Sequence, residues 1–287
     1  MNVPSDTMDQ SMSAERVSKE APVHVEVSGV VVDFPGAGRV LDGITFDVSR
    51  GETLVILGPS GCGKSTLLKT LLGVLRPTEG EVTVLGHRLA HCSSEELDDV
   101  RKCTGVLFQS GALFNSLSVA ENVALPLREH TDLDERIIEI MVKMKLELVG
   151  LRDFENMMPA EISGGMKKRV GLARAIALDP EILFYDEPSA GLDPIMTGVI
   201  DQLIMDLSHK LGVTSVVVTH DMSSAFKIAD RVIILYGGKI VATGTPGEIQ
   251  SSDDALVRQF VAGAPDGPIP LRLAHKDYAE DLLEGRD

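Results

Sequence analysis

At 287 residues, 44% apolar and 24% charged, the chain is large enough to bury the core of one α/β domain with a smaller lobe. A net charge of −16 without tryptophan disfavours a nucleic-acid binder, which needs a basic footprint and often stacking platforms, and no apolar run approaches the ~20 residues of a spanning helix. Cys62, Cys92 and Cys103 lack CxxC spacing, which argues against a disulfide framework or zinc site and suits reduced thiols of the cytosol.

Residues 1–21 are polar and of mixed charge, with no signal-peptide core and little of a transit peptide's arginine bias, and are expected to form a disordered tail. Residues 23–32 and 44–48 read as a small antiparallel addition, and 54–57 as a buried strand. That strand runs into Gly58, Pro59, Ser60, Gly61, Cys62, Gly63, Lys64, Ser65 and Thr66. Leu67, Leu68, Leu71, Leu72 and Leu75 then recur at helical spacing. A glycine loop between strand and helix lets successive backbone N–H groups converge on phosphate oxygens, aided by the helix N-terminus. Lys64 is placed to reach the terminal phosphates of a nucleotide, and Ser65 to ligate Mg²⁺. Cys62 reads as a small filler; the alternative is a reactive thiol whose oxidation would block the loop.

Residues 105–108 read as the next strand, after which helices take over from about Gln109 to Pro180. Asp132 is the expected cap of a helix carrying Ile137, Met141, Met144 and Leu148 on one stripe, with Gly150 as its stop. Met157, Met158 and Met166 are read as gap-fillers of this helical subdomain's core, a docking surface being the alternative. Ser163, Gly164 and Gly165 open a further helix and form a second anion-binding start. It lies too far along the chain to serve the same phosphate as Lys64 in one compact monomer.

Residues 181–185 form an apolar strand that ends in Asp186 and Glu187. Asp186 is aimed at the Mg²⁺ shell, and Glu187 is positioned to polarise a water for in-line attack on a γ-phosphate. Residues 213–219 form another strand, ended by His220, which can donate to the γ-phosphate and hold the attacking water. Residues 232–236 and 239–243 read as a hairpin across Gly237 and Gly238, and an acidic, proline-containing stretch follows Gly263. Alternating strands and helices point to a largely parallel sheet covered on both sides.

The run from Ile162 through Ser163, Gly164, Gly165, Met166, Lys167 and Lys168 to Arg169 resembles the signature of the ATP-binding-cassette ATPases. The resemblance implies a P-loop NTPase with a RecA-like core, an antiparallel β addition and a helical subdomain at about 109–180. The ATPase domain would span 22–262, leaving 263–287 as a C-terminal extension that forms either a disordered tail or a contact with the neighbouring subunit. In this family the signature closes over ATP held by the opposite subunit of a head-to-tail dimer. Phe34 would stack on adenine, Gln109 would touch Mg²⁺ and water, and Asp193 would be the D-loop acid. Lys167, Lys168 and Arg169 would be solvated or paired with acids. Met166 replaces the usual glutamine, so the ribose contact is expected to be weaker.

Together with Leu107 to Phe114, Tyr185 to Pro188, Gly191 to Ile195 and Thr219 to Met222, the signature resembles MlaF-type ATPases of bacterial phospholipid transporters. That branch implies a homodimer on the cytoplasmic face of the inner membrane, bound to an MlaE-like permease. An MCE-domain lipid-binding protein and, often, a small STAS-domain protein complete the assembly. Competing readings are the ATPase of a small-solute importer and a non-transport cassette; the latter would show a long coiled-coil insertion or two cassettes in one chain.

Overall fold

The computed structural model describes residues 22–36 and 38–269. The expected N-terminal tail and the chain from 270 onward lie outside the described residues.

Two sheets share the described residues. The first is antiparallel, in the order β2, β1, β4, β5, from β1 (Val23–Phe34), β2 (Gly38–Ser49), β4 (Glu79–Val84) and β5 (His87–Arg88). It is larger than residues 23–32 and 44–48 suggest. The longer strands absorb irregular register, as at Gly29, whose φ of 58° sits where the β1–β2 pairing shifts between Val27 and Val30. β4 and β5 are not evident in the sequence, because Glu79 to Val84 alternates only weakly and borrows its pairing from β1.

The second sheet has the order β10, β9, β3, β8, β7, β6. It comprises β3 (Thr53–Leu57), β6 (Thr104–Leu107), β7 (Ile182–Asp186), β8 (Thr214–Thr219), β9 (Arg231–Tyr236) and β10 (Lys239–Gly244). All are parallel except β10, which pairs antiparallel with β9. These bounds fall within a residue of those expected. Near-continuous apolar runs such as β3 arise because both faces are covered. Alternate residues enter opposite cores. Val55, Leu57, Leu183, Tyr185 and Val217 join the helical side, whereas Leu54, Ile56, Phe184, Val216 and Val218 meet the antiparallel sheet. Glu52, 2% exposed, accepts from Arg231 at 2.7 Å, and Thr214 Oγ1 lies 2.8 Å from His24 Nδ1, polar pairs that fasten the two sheets at their edge.

α1 (Lys64–Leu71) and α2 (Ser94–Lys102) precede a stretch without strands among the described residues. Leu72 and Leu75 lie past the end of α1, yet still pack against its core. The strand-free stretch holds α3 (Val119–His130), α4 (Glu135–Leu148), a 3₁₀ turn at Pro159–Glu161 and α5 (Gly164–Ala175). The cap of α4 is Asp134 and not Asp132, its carboxylate accepting from the Arg136 N–H at 3.0 Å; Gly150, at φ 66°, follows the helix as expected. The expected stripe on α4 is one step out of phase. Ile138, Val142 and Leu146 are buried, while Ile137, Met144 and Leu148 face solvent; of the expected stripe only Met141 packs partly against the core. Met157 and Met166 pack against the helical core, in keeping with the gap-filler reading, whereas Met158 is half-buried outside that cluster.

Among the described residues the remaining helices are α6 (Pro194–Leu211), α7 (Met222–Ile228), α8 (Pro246–Gln250) and α9 (Ala255–Ala262). No described helix is long and apolar enough to cross a membrane.

Candidate active site

Parallel strands gather the residues just past their carboxyl ends on one edge, where open α/β sheets bind ligands. At that edge β3 gives way to Gly58, β6 to Phe108 and Gln109, β7 to Glu187 and β8 to His220. Gly58 has no room for a side chain, since a Cβ would stand 2.3 Å from the Leu235 carbonyl oxygen and 2.5 Å from Cys62 Sγ. Gly61 and Gly63 adopt φ of 80° and 108°, which turns the loop into α1 with no side chain capping its first amides. Lys64, 8% exposed, lies across its own loop and donates to the carbonyls of Gly58 at 2.7 Å and Pro59 at 3.1 Å. Ser65 is exposed on the first turn, with Thr66 half-buried behind it. Burial pushes the Cys62 thiol up, against the pull of Lys64, which suits a filler and disfavours a reactive thiolate.

The β1–β2 hairpin leans over this loop. A Cβ on Gly63 would meet Leu41 at 2.7 Å, and Asp42 N–H donates to the Gly238 carbonyl at 2.9 Å. Phe34 pairs with Gly38 at the hairpin's tip and is 37% exposed, an aromatic presented to solvent on the element that covers the loop.

Asp186 is half-buried at the end of β7. Burial and the neighbouring Glu187 charge hold its carboxyl above the usual range, while Lys69 and Lys64 pull it down. Glu187 sits at φ 48°, a left-handed conformation uncommon outside glycine, and its N–H donates to the Val218 carbonyl at 2.8 Å. Its Oε2 accepts from Thr219 Oγ1 at 3.2 Å, His220 N–H at 3.3 Å and His220 Nδ1 at 2.8 Å. His220 thus holds the carboxylate directly, a contact absent from the sequence-based expectation, which aims it at a γ-phosphate. Pro59 and His220 line one cleft, so β8 and the phosphate loop face each other.

Gln109 is exposed just beyond β6, which pairs with β7. The residues after it are pinned firmly. Arg174 donates to the carbonyls of Gly111 and Ala112 at 2.9 Å each, and the Asn122 amide bonds both the N–H and the carbonyl of Phe114. Backbone meets backbone here: a Cβ on Gly171 would lie 3.0 Å from the Gly111 oxygen, and one on Gly111 would lie 2.8 Å from the Lys167 oxygen.

Ser163 caps α5, accepting from Met166 N–H at 3.2 Å. Gly164 faces open space, and Gly165 packs on Met196 and Leu192. Asp193 caps α6 through the N–H groups of Ile195 and Met196. The signature start therefore rests on the segment between β7 and α6. Contrary to a solvated basic run, Lys168 is 5% exposed and donates to three backbone carbonyls, and Arg169 donates to those of Val149 and Gly150 at 3.1 Å. Their long stems reach carbonyls left open where a strand and a helix end, a destination that spacing alone does not reveal. Thr219, the last residue of an apolar strand, donates to the Glu187 carboxylate, a role that its place in the Thr219-to-Met222 motif does not assign; the available signal is a polar residue beside the strand-end histidine.

Every α-helix among the described residues carries an acid at its cap or in its first turn, except α1 and α5. Acids there offset the partial positive charge of a helix N-terminus. Leaving it uncompensated at the glycine-bearing starts favours an incoming anion.

A phosphate loop at the carboxyl edge of a parallel sheet, a strand-end acid pair and a second glycine-bearing helix start define an ATP-binding cassette. Residues 41–190 match the ABC transporter family, and the chain belongs to it: it is an ATP-binding, ATP-hydrolysing transporter subunit. It is 48% identical over 255 residues to the intermembrane phospholipid transport system ATP-binding protein MlaF of Escherichia coli K12, covering 88% of this chain and 95% of that one. For MlaF of Haemophilus influenzae the identity is 46% over 252 residues, covering 88% and 96%. The "Probable ribonucleotide transport ATP-binding protein mkl" of Mycobacterium tuberculosis H37Rv is 45% identical over 249 residues, covering 87% and 69%. Among solved structures, a dimeric ATP-binding cassette in a post-hydrolysis state with ADP and Pi aligns with a TM-score of 0.72 at 32% identity, covering 77% of this chain and 98% of that one. A Clostridium perfringens cassette from the cbiONQ transporter complex aligns at 0.74 and 28%, covering 85% and 96%.

Proposed function

We propose that two copies of this chain sandwich two ATP molecules head to tail and drive phospholipid movement through an MlaE-like permease at the inner membrane. The carrying observation is the division of the phosphate-binding parts. Gly58 to Thr66 lie with Asp186, Glu187 and His220 on one edge, whereas the signature start faces open space at Gly164 and rests through Gly165 against Leu192 and Met196. A second copy brings its own Ser163 start to the open loop, and a solved relative at 32% identity is dimeric.

ATP displaces Lys64 from the carbonyls of Gly58 and Pro59, and its ammonium turns to the phosphates. Phe34 stacks on the adenine. Asp186, a half-buried carboxyl beside the Glu187 charge, and the Ser65 hydroxyl suit Mg²⁺, which usually takes one or two protein ligands beside phosphates and waters. Gln109 would complete that shell, and the ion would neutralise charge on the transferring phosphoryl group. Three donors converge on Oε2 of Glu187, which orients the carboxylate and leaves its second oxygen to accept a proton from the attacking water. His220 sets that orientation through Nδ1, and Asp193 fixes the start of α6 beside the signature.

The permease would dock in an open groove of ≈ 440 Å³ beside Gln109, where Phe108, Phe114 and Arg174 stand among its lining residues. Phospholipid is favoured over ribonucleotide as cargo because the alignment runs through 95% of the E. coli MlaF length, against 69% of the mycobacterial relative. An MCE-domain protein, with or without a STAS-domain partner, would complete the assembly.

Complexes purified from membranes with wild-type or Glu187→Gln subunits and reconstituted in liposomes test this reading. The wild type should move labelled phospholipid when given ATP. The variant should keep ATP in a closed dimer, turn it over about 10²- to 10⁴-fold more slowly and move no lipid. Stimulation by ribonucleotide in place of lipid would overturn the cargo, and rapid turnover by the variant would overturn the role of Glu187.

A further inference from the structure

Lys168 lies on α5, five residues after Ser163, and is almost fully enclosed. Its ammonium donates to the carbonyl oxygens of Glu187 at 3.2 Å, Pro188 at 2.8 Å and Ala190 at 2.6 Å. Three acceptors match the three N–H donors of the group. Burial lowers its pKa while the nearby Glu187 charge opposes the shift. A lysine desolvated for helix packing alone has cheaper apolar substitutes, since an enclosed charge is costly unless well bonded.

What it grips is the backbone on which the candidate base is mounted. Glu187 occupies a left-handed conformation that non-glycine residues keep only where the surroundings enforce it. Its N–H is held by β8 through Val218, and its carbonyl accepts from both Ala190 N–H, at 3.2 Å, and Lys168. The far end of the same segment is held by α5 as well, because Gly165 packs on Leu192 and Met196. The turn from β7 to α6 is therefore bracketed by the signature helix at both ends. A shift of α5 would carry it along.

We propose that Lys168 is a positioning residue that transmits the seating of the signature helix to Glu187 of the same chain by clamping the backbone carbonyls of 187, 188 and 190. This rests on Glu187 acting as the water-activating carboxylate. When Ser163 to Gly165 engage the partner's nucleotide, α5 settles, and the clamp sets the angle of the chain's own carboxylate. Lys168 touches neither nucleotide, so it couples the two composite sites without belonging to the binding surface of either.

The test compares Lys168→Met and Lys168→Gln with wild type by steady-state hydrolysis, equilibrium ATP binding and thermal unfolding. Lys168→Met should lose about 10- to 100-fold in kcat, as a displaced catalytic group does, with KM and ATP affinity within about threefold of wild type. Lys168→Gln, which keeps two donors on a shorter stem, should recover part of that loss. A kcat within about twofold of wild type for Lys168→Met overturns the clamp, as does a loss shared by kcat, ATP affinity and Tm, the mark of a purely structural lysine. If Lys168→Met does not fold, Lys168→Gln decides: kcat lowered at unchanged ATP affinity supports the clamp, and full kcat or a parallel loss of affinity overturns it. Glu187→Gln, assayed alongside, separates the two claims. If it still turns over rapidly, the role of Glu187 fails; if it is inactive while Lys168→Met is not, only the clamp does.

Discussion

The two helix starts that lack acidic compensation solve the same electrostatic problem in opposite ways. α1 opens from Gly63, which carries no capping side chain, and meets its lysine from within, Lys64 folding back onto Gly58 and Pro59. α5 opens from Ser163, whose hydroxyl already occupies the Met166 N–H. The first start is an uncapped cradle with a lysine folded across it; the second is a self-satisfied end with a smooth glycine face. A cradle can hold phosphate alone. A capped end adds a lid to phosphate already held, and this asymmetry is what a site divided between two subunits requires.

The largest effect separating the two is expected at Lys64. Lys64→Ala removes a charge-assisted donor, and ATP affinity measured at equilibrium should fall by about 10- to 100-fold. Ser163→Ala should leave that affinity unchanged and lower stability by about 1 kcal/mol, read from chemical denaturation, through loss of the cap. Mixing these two variants gives the sharper result. Each homodimer carries its defect in both sites and should hydrolyse ATP slowly, whereas a head-to-tail heterodimer concentrates both defects in one site and leaves the other intact, so the mixture should hydrolyse ATP faster than either variant alone. If the mixture is no faster, the two starts serve one chain's own nucleotide and the contrast collapses. The smallest effect belongs to Met166, which packs partly into the helical core. Met166→Gln should raise ATP affinity of the closed dimer by about one hydrogen bond, two- to fivefold, and no change would mean that the methionine costs no ribose contact.

Legibility in the sequence followed the range of the forces involved. Local pattern sufficed for β3, the phosphate loop and the strand-end acids, because Leu54 to Leu57 are apolar throughout and the loop's glycines recur at fixed spacing. It failed where distant chain decides. β4 becomes a strand by pairing with β1, and Lys168 is buried because carbonyls some twenty residues onward fold over it. On α4, Ile137 and Ile138 are equally apolar, so only the packed neighbour selects which of them turns inward. The bond from His220 to Glu187 crosses from β8 to β7, and no spacing encodes that meeting.

The contact between Gly111 and α5 has a consequence for heat and motion. Most joints in a protein interior are lined by side chains that hop between rotamers and soften as temperature rises. Here much of the facing surface is main chain, with Gly111 against Gly171 and the Lys167 carbonyl, and main chain has no rotamers to exchange. Such a joint stays stiff as the surrounding core loosens. The link between the groove beside Gln109 and the signature helix should thus behave as a hinge pin, with the same play in a cold cell as in a warm one.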